Sequence, residues 1–443
     1  MAVINKVRTR ALSVLLLVAV AILGMGFYVV KFVINGNEWA SAPFNSTVFH
    51  GGVLTAGTVT DRNSVVLADV TDGRRTFAES SDVRRSTLHA VGDREGNIGT
   101  GALTVYAPEL MGYNLVTGSY SLTGAGRSIA LTIDSRLNTT ALRALEGRRG
   151  VVMVSNYETG EVLCMVSSPT FDPNDPPVNP NEDEAPFVNR AIQSVYTPGS
   201  TFKLVTAAAA IEQVRNVYER EFVCTGELEV GGGMLTCPGE HGRLGFERGM
   251  QVSCNIVYGE LALIIGADKM ADYTEKFGLS GRTTIGGITT AKGNYDKAPQ
   301  GSLNLAWSGV GQFNNTVCPA SMLRFVGAIA NEGNAVELQL LKRTGLSTVI
   351  PAGTERVLNR TTAQELGYII EIQNRETFPG LEIHAKSGTA QVGGGKDPHA
   401  WYVGYITNED YPLAFVVIVE NGGGGFAVAS PIANRVLQEA ISG

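Results

Sequence analysis

The sequence predicts an α+β fold: a five-stranded, largely antiparallel sheet covered by helices, joined to a small β-rich N-terminal module and one membrane-spanning helix. Three observations predict it. Residues 11–30, ALSVLLLVAVAILGMGFYVV, form an uncharged apolar run long enough to cross a bilayer as a single helix. Two strand-like runs, GVVMVSNY from 150 and EVLCMVSSP from 161, lie early in the second part of the chain, and three more lie at 381–390, 401–406 and 413–420. From 200 to about 375 the pattern between these groups is mostly helical. A sheet assembled from both ends of one domain, with helices packed on it, lets both sets bury their apolar residues.

The elements follow in chain order. Lys6, Arg8 and Arg10 precede the apolar run, so the positive-inside rule keeps residues 1–10 in the cytoplasm. Residues 11–34 then form the anchor and the rest of the chain lies outside. A cleaved signal peptide is the rival reading. It is disfavoured because the run exceeds a usual signal core and the A-x-A stretch at Ala40-Ser41-Ala42 lies well beyond it. Residues 35–125 are rich in Gly, Ser and Thr with short β-type runs such as GGVLTAGTVT and SVVLADV, a module with no evident chemistry. SIALTIDSRLNTTALRALEGRRG opens a second domain, 126–443, as a strand and then a helix capped by Asp134 or Ser135. The two early strands join at Thr159-Gly160 as a hairpin. Residues 169–186 are dense in Pro and Asn and predict irregular structure, with Glu182, Asp183 and Glu184 a solvated loop. NIVYGELALIIGADKMADYTEKFG and ASMLRFVGAIANEG read as helices ended by Gly. A last helix is expected from about Pro431 to Ile441, with the proline in its first turn.

Composition excludes some classes. A net charge of -7 over 443 residues gives no basic footprint for nucleic acid. No Cys/His group has metal-ligand spacing, so neither a metal nor a cofactor is expected. Five cysteines cannot all pair with one another. Cys224 and Cys237 flank TGELEVGGGMLT, a hairpin that could join them as a disulfide, with two free thiols the equal alternative. His50, His89, His241, His384 and His399 are scattered and read as solvated or structural.

Chemistry concentrates in VYTPGSTFKLVTAAAAI, residues 195–211. Ser200 follows a Pro-Gly turn and begins a helix with almost no polar face, and Lys203, three residues on, shares its face. A lysine held in such a helix is desolvated, which lowers its pKa and makes it a base for the serine. Free N–H groups at the helix start favour a developing oxyanion. Taken alone, Ser200 could merely cap the helix while Lys203 snorkels. Two further motifs decide between these readings: Ser253-Cys254-Asn255, between helical segments, and Lys386-Ser387-Gly388-Thr389, at the end of a strand. A second S-x-N, Ser302-Leu303-Asn304, lies too close to the later helix to serve as the middle motif. Cys254 reads as a small core residue.

With these three motifs in order, the chain resembles the class B penicillin-binding proteins, bitopic D,D-transpeptidases of peptidoglycan synthesis. NRAIQSVYTPGSTFK resembles their active-serine region, LTIDSRLNTTALRAL the start of their transpeptidase domain, and HAKSGTAQV and AWYVGYI their third and fourth strands. The resemblance implies the serine β-lactamase/transpeptidase-like fold for residues 126–443 and a reduced membrane-proximal pedestal for residues 35–125. It further implies acyl transfer through Ser200, with Lys203 as base, Ser253 bridging Lys203 and Lys386, and Asn255 holding the substrate amide. Ser200 and Thr389 N–H groups would form the oxyanion hole, and Ser387 and Thr389 hydroxyls would receive the substrate carboxylate. Alternation along the strand puts Lys386 on the face opposite Ser387 and Thr389, so it must either sit at an edge or reach around it, and the sequence leaves both open. Gly388 is expected to let the substrate backbone pair with that edge. The implied partners are peptidoglycan stem peptides, β-lactam antibiotics and a polytopic glycosyltransferase of the shape, elongation, division and sporulation family. A β-lactamase or D,D-carboxypeptidase on the same fold is the alternative.

Overall fold

The computed structural model describes residues 2–40, 49–50, 53–54, 57–71, 74–111, 127–178, 184–343, 352–370, 372–373 and 381–442. Ser41 and Ala42 of the rival cleavage site, residues 112–125 of the expected pedestal, and Glu182 and Asp183 lie outside the described residues.

The chain divides into two compact units, Met1–Thr58 with Asp69–Thr76 and Tyr106–Ile129, and Val59–Ala68 with Phe77–Val105 and Ala130–Gly443. In the first unit, helix α1 (Ala2–Ala40) contains Arg10–Ile34, a segment of mean hydropathy 2.6 that is long and apolar enough to cross a membrane. Strands β1 (Phe49–His50) and β2 (Val53–Leu54) pair antiparallel. The Arg75 guanidinium donates to the Gly57 carbonyl at 2.7 Å.

The division differs from a single boundary near residue 125, because Val59–Ala68 and Phe77–Val105 belong to the second unit. The physical reason lies in buried polar contacts. Asp61 is buried, and its carboxylate accepts from the Ser135 hydroxyl at 2.7 Å and from the Ser135 N–H at 3.2 Å. Asn138 donates to the Ser86 carbonyl at 3.1 Å, tying helix α2 (Ser81–Val91) to helix α3 (Ser135–Leu145). Asp134, rather than Ser135, is the N-cap of α3, accepting from the Arg136 N–H.

The central sheet follows from the apolar runs. Strands β3 (Gly150–Asn156) and β4 (Val162–Ser168) form the early hairpin. The late strands are β5 (Ile383–Ala390), β6 (His399–Ile406) and β7 (Leu413–Val419), in the spatial order β5-β6-β7-β3-β4, all antiparallel. A two-residue strand, Ile372–Gln373, pairs with the start of β5 and makes the sheet six-stranded, one more than expected. Every residue of β7 is buried, as a strand covered on both faces requires. Leu413, Phe415, Val417 and Val419 pack with Leu137, Ala141, Val436 and Leu437, residues of α3 and the C-terminal helix. On the opposite face, Ala414 meets Gly327 of helix Pro319–Ala330.

The C-terminal helix runs from Gly425 to Ser442, so Pro431 is inside it rather than in its first turn. The earlier start has a local cause. A side chain at Gly425 would run into the Gly388 carbonyl, and the Gly425 N–H donates to Thr389 Oγ1 at 3.2 Å. A glycine here lets the helix N-terminus dock directly on β5. Between the early and late strands the chain is less uniformly helical than expected. Glu221–Cys224, Glu227–Val230, Gly233–Thr236 and Gly242–Gly245 pair as two small antiparallel ribbons, and Gly266 divides one expected helix into Asn255–Ile265 and Ala267–Lys276.

Candidate active site

Helix Lys203–Gln213 is buried from Lys203 through Ala210, because alanines present no polar face and lie flush against neighbouring helices. It is preceded by a 3₁₀ turn, Gly199–Phe202, that carries Ser200. Three hydrogen bonds fix this turn: Thr201 Oγ1 donates to the Pro198 carbonyl (2.8 Å), the Gly199 N–H to the Gly311 carbonyl (2.9 Å) and Trp401 Nε1 to the Thr197 carbonyl (3.0 Å). Ser200 is half-buried while Lys203, one turn later, is fully buried.

The sequence-predicted residues converge here. Lys203 Nζ donates to the Ser253 carbonyl (2.5 Å), Ser253 Oγ (3.1 Å) and Asn255 Oδ1 (2.8 Å). Lys386 Nζ donates to Ser253 Oγ (2.9 Å) and to the Ser387 carbonyl (3.0 Å). The Ser253 hydroxyl therefore lies between two amines. Burial, and then the neighbouring Lys386 charge, hold the Lys203 pKa well below the ordinary ammonium range. Among the described hydrogen bonds none joins Ser200 Oγ to Lys203.

Ser253 has φ of +55°, the left-handed region that costs a non-glycine residue about 1 kcal/mol or more. Bonds from its N–H to Met250 and from the Cys254 N–H to Gly249 hold it there. This strain is a signal of function that the linear sequence does not carry. Asn255 Nδ2 donates to the Thr236 carbonyl at 2.9 Å, which orients Oδ1 toward Lys203. One of its two amide protons is thus already engaged.

On β5, Thr389 is exposed, Ser387 half-buried and Lys386 buried, with Lys386 Nζ held by Ser253 Oγ and the Ser387 carbonyl. Gly388 has a packing reason of its own within the fold. A side chain there would meet the Pro198 carbonyl and Thr201 Cγ2, each at 2.9 Å. The missing side chain lets β5 press against the serine's own turn.

A cleft of about 730 Å³ opens over Ser200, Ser253, Asn255, Ser387 and Thr389. Sequence reasoning missed part of its wall: Asn304, Trp307, Gln312, Phe313 and His241. One signal for it was present in the rejected second S-x-N. Ser302 caps its helix, accepting from the Leu305 N–H at 3.2 Å, while Asn304 reaches the cleft.

Of the two cysteine alternatives left open, the structure has the free thiols: the hairpin brings Cys224 and Cys237 together without a disulfide. Metal-ligand spacing is absent from the linear sequence, yet the fold gathers Cys224, Cys237, His241 and Cys254 with their ligand atoms all within 4.8 Å of one another. They come from separate loops and strands, so no short motif marks them. Of the two readings of the histidines, His241 is structural, beside Cys224 and Cys237, and Cys254 is buried as a core residue.

Residues 150–438 match the family described as the penicillin binding protein transpeptidase domain. The chain is 27% identical over 360 residues to peptidoglycan D,D-transpeptidase PbpA of Mycolicibacterium smegmatis, covering 71% of this chain and 73% of that protein. Among solved structures, the D,D-transpeptidase domain of a peptidoglycan glycosyltransferase from Eggerthella lenta superposes with a TM-score of 0.74 at 26% identity, over 87% of this chain and 98% of that one. Penicillin-binding protein A from M. tuberculosis, in a ceftriaxone acyl-enzyme complex, gives a TM-score of 0.75 at 23% identity, over 87% and 98%. The three motifs, the sheet that holds them and the match across most of the chain make this protein a member of the penicillin-binding protein transpeptidase family, of class B.

Proposed function

We propose that the protein is a membrane-anchored peptidoglycan D,D-transpeptidase in which Ser200 is the nucleophile and Lys203 its base. The observation that carries this reading is the pair of amines on either side of the Ser253 hydroxyl. Lys203, once neutral and donating only to the Ser253 carbonyl and Asn255 Oδ1, turns its lone pair to take the Ser200 proton as Oγ bonds to the carbonyl carbon of the penultimate D-Ala of a stem peptide. Backbone N–H groups of Ser200 and Thr389 stabilise the oxyanion. Ser253 passes a proton from Lys203 to the departing nitrogen, the C–N bond breaks and terminal D-Ala leaves. An amine of a neighbouring stem then attacks the acyl-enzyme, and the same relay runs in reverse. Ser387 and Thr389 hydroxyls receive the substrate carboxylate, and Asn255 orients Lys203 and the substrate amide.

The name of the M. smegmatis relative supports the substrate, and the ceftriaxone adduct of the M. tuberculosis protein supports acylation by β-lactams. Lys6, Arg8 and Arg10 before the apolar segment support a cytoplasmic N-terminus and an extracytoplasmic catalytic unit. Resemblance to the family supports a polytopic glycosyltransferase as the partner, met through the anchor and pedestal. The test is turnover of a synthetic donor stem peptide with and without an acceptor amine. Cross-linked product that rises with acceptor concentration is expected; hydrolysis alone, unaffected by acceptor, would instead identify a carboxypeptidase.

A further inference from the structure

We propose that the cleft has a second arm, between Gln251, Ser387 and Phe426, that receives the aliphatic chain carrying the acceptor amine. The inference rests on the transpeptidase reading above and adds to it the side from which the second substrate arrives. A cavity of about 270 Å³ lies beside the main cleft, and the two have Val252, Ser253 and Ser387 in common. Ser200, Asn255 and Thr389 line the main cleft, whereas Lys386, Tyr402 and Phe426 line the second cavity. Ser253, whose hydroxyl lies between the two amines, therefore stands where the two spaces meet.

Reaction chemistry assigns the occupant. The acceptor nitrogen must reach the acyl carbon along the path by which the first nitrogen departed, because aminolysis is acylation run in reverse. It bonds to that carbon and gives its proton through Ser253 to Lys203, and Ser200 Oγ leaves with the proton that Lys203 returns. The departing D-Ala carries a methyl and a carboxylate, which need no room beyond Ser387 and Thr389. An acceptor on the same side brings a chain as well, and the chain needs space past Ser387. The second cavity begins there. Its volume equals roughly nine waters at ~30 Å³ each, enough for one amino-acid side chain and an amide rather than a whole stem peptide.

Its walls suit such a chain. Tyr402 pairs across the sheet with Ser387, and the Phe426 ring packs edge-to-face on Tyr402 with centroids 6.2 Å apart. An aromatic wall thus starts at the residue that receives the substrate carboxylate. Phe426 is 52% exposed, in the first turn of the C-terminal helix, yet its backbone is tied down. The Gly425 N–H donates to Thr389 Oγ1 at 3.2 Å and the Gly423 N–H to the Pro398 carbonyl at 3.0 Å. A single exposed ring is ordinary on a protein surface. One fixed in a cavity that opens on the reacting residues offers apolar area that a methylene chain can cover. Gln251, exposed at the end of helix Phe246–Gln251, supplies an amide at the rim that can donate to and accept from the chain's own peptide group.

The test uses the full chain in detergent, a synthetic donor stem peptide and two acceptor probes. Nα-acetyl-L-lysinamide carries its amine on a long aliphatic chain, and glycinamide lacks that chain. Phe426→Ala, and Gln251→Trp, which fills the cavity from its exposed rim, should each raise the half-saturating concentration of the lysine probe by ~10-fold. The value for glycinamide should change by less than about 2-fold, and Phe426→Tyr should behave as the wild type on both probes. Acylation of both variants by benzylpenicillin should stay within about 2-fold of the wild type, because neither residue lines the main cleft. Tyr368→Ala removes an exposed ring elsewhere and should change nothing. Equal losses on the two probes, or a matching fall in acylation, would overturn the inference. So would an unchanged response to the lysine probe in Gln251→Trp, an exposed position that keeps the inference refutable even where Phe426→Ala does not fold. A wild type that hydrolyses the donor and forms no product with either probe would instead overturn the transpeptidase reading, and the inference with it.

Discussion

Lys203 and Lys386 reach the same atom: their Nζ atoms lie 3.1 and 2.9 Å from the hydroxyl of Ser253. Two ammonium groups sharing one small acceptor repel, and the buried one yields its proton more readily. Burial is the first cause of the lowered Lys203 pKa and Lys386 the second. Lys386→Met should therefore raise the Lys203 pKa. The limb over which acylation rises with pH should move to the alkaline side, and the rate at neutral pH should fall about 100-fold. Stopped-flow acylation by a fluorescent penicillin across pH measures both. A limb that stays in place while the rate falls would show that Lys386 acts only on substrate.

Gly388 bears on whether β5 and the serine turn act as one rigid piece. Its substitution by alanine drives a methyl into the Pro198 carbonyl and Thr201 Cγ2. Gly388→Ala should cost about 1–3 kcal/mol of stability and slow acylation, since relief requires β5 and Ser200 to separate. Gly281 has nothing within 4 Å of an added Cβ, so Gly281→Ala should stay within about 0.5 kcal/mol. Thermal melts and acylation rates of the two variants check the pair.

Glu420, just after β7, buttresses the segment leading to the nucleophile. Its carboxylate accepts from Arg190 Nε at 2.9 Å and from the Tyr196 hydroxyl at 2.8 Å, four residues before Ser200. Burial pushes the Glu420 pKa up, but Tyr196 and Arg190 outweigh it and the net shift is downward. A carboxylate held below its unfolded value contributes stability that is full above that value and is lost as pH falls through the folded one. Glu420→Gln should cost about 2–4 kcal/mol at neutral pH, because Arg190 is buried. The gap from wild type should narrow on acidification below about pH 4. Urea unfolding at several pH values measures it, and a gap that widens with acid would contradict the assignment.

What was legible in the sequence was what is local or repeated. The apolar run, the alternating and buried strands, the helix opening at Asp134 and the spacing of Ser200 and Lys203 are all set within a few residues. The motif trio identified which short pieces meet, but not the distances between them. What escaped depends on contacts between distant segments. Gly388 is explained by Pro198 and Thr201, the start of the last helix by Gly388 and Thr389, and the Cys/His cluster by pieces from three parts of the chain. Val59–Ala68 read as part of the pedestal because its buried partner, Ser135, is far away in sequence.

The central claim is that Ser200 alone carries the acyl group, and the intact mass of the protein after benzylpenicillin treatment tests it most directly. The wild type should gain one drug mass per chain and hold it over hours, while Ser200→Ala should gain none with its fold intact by circular dichroism. An equal adduct on Ser200→Ala would contradict the account.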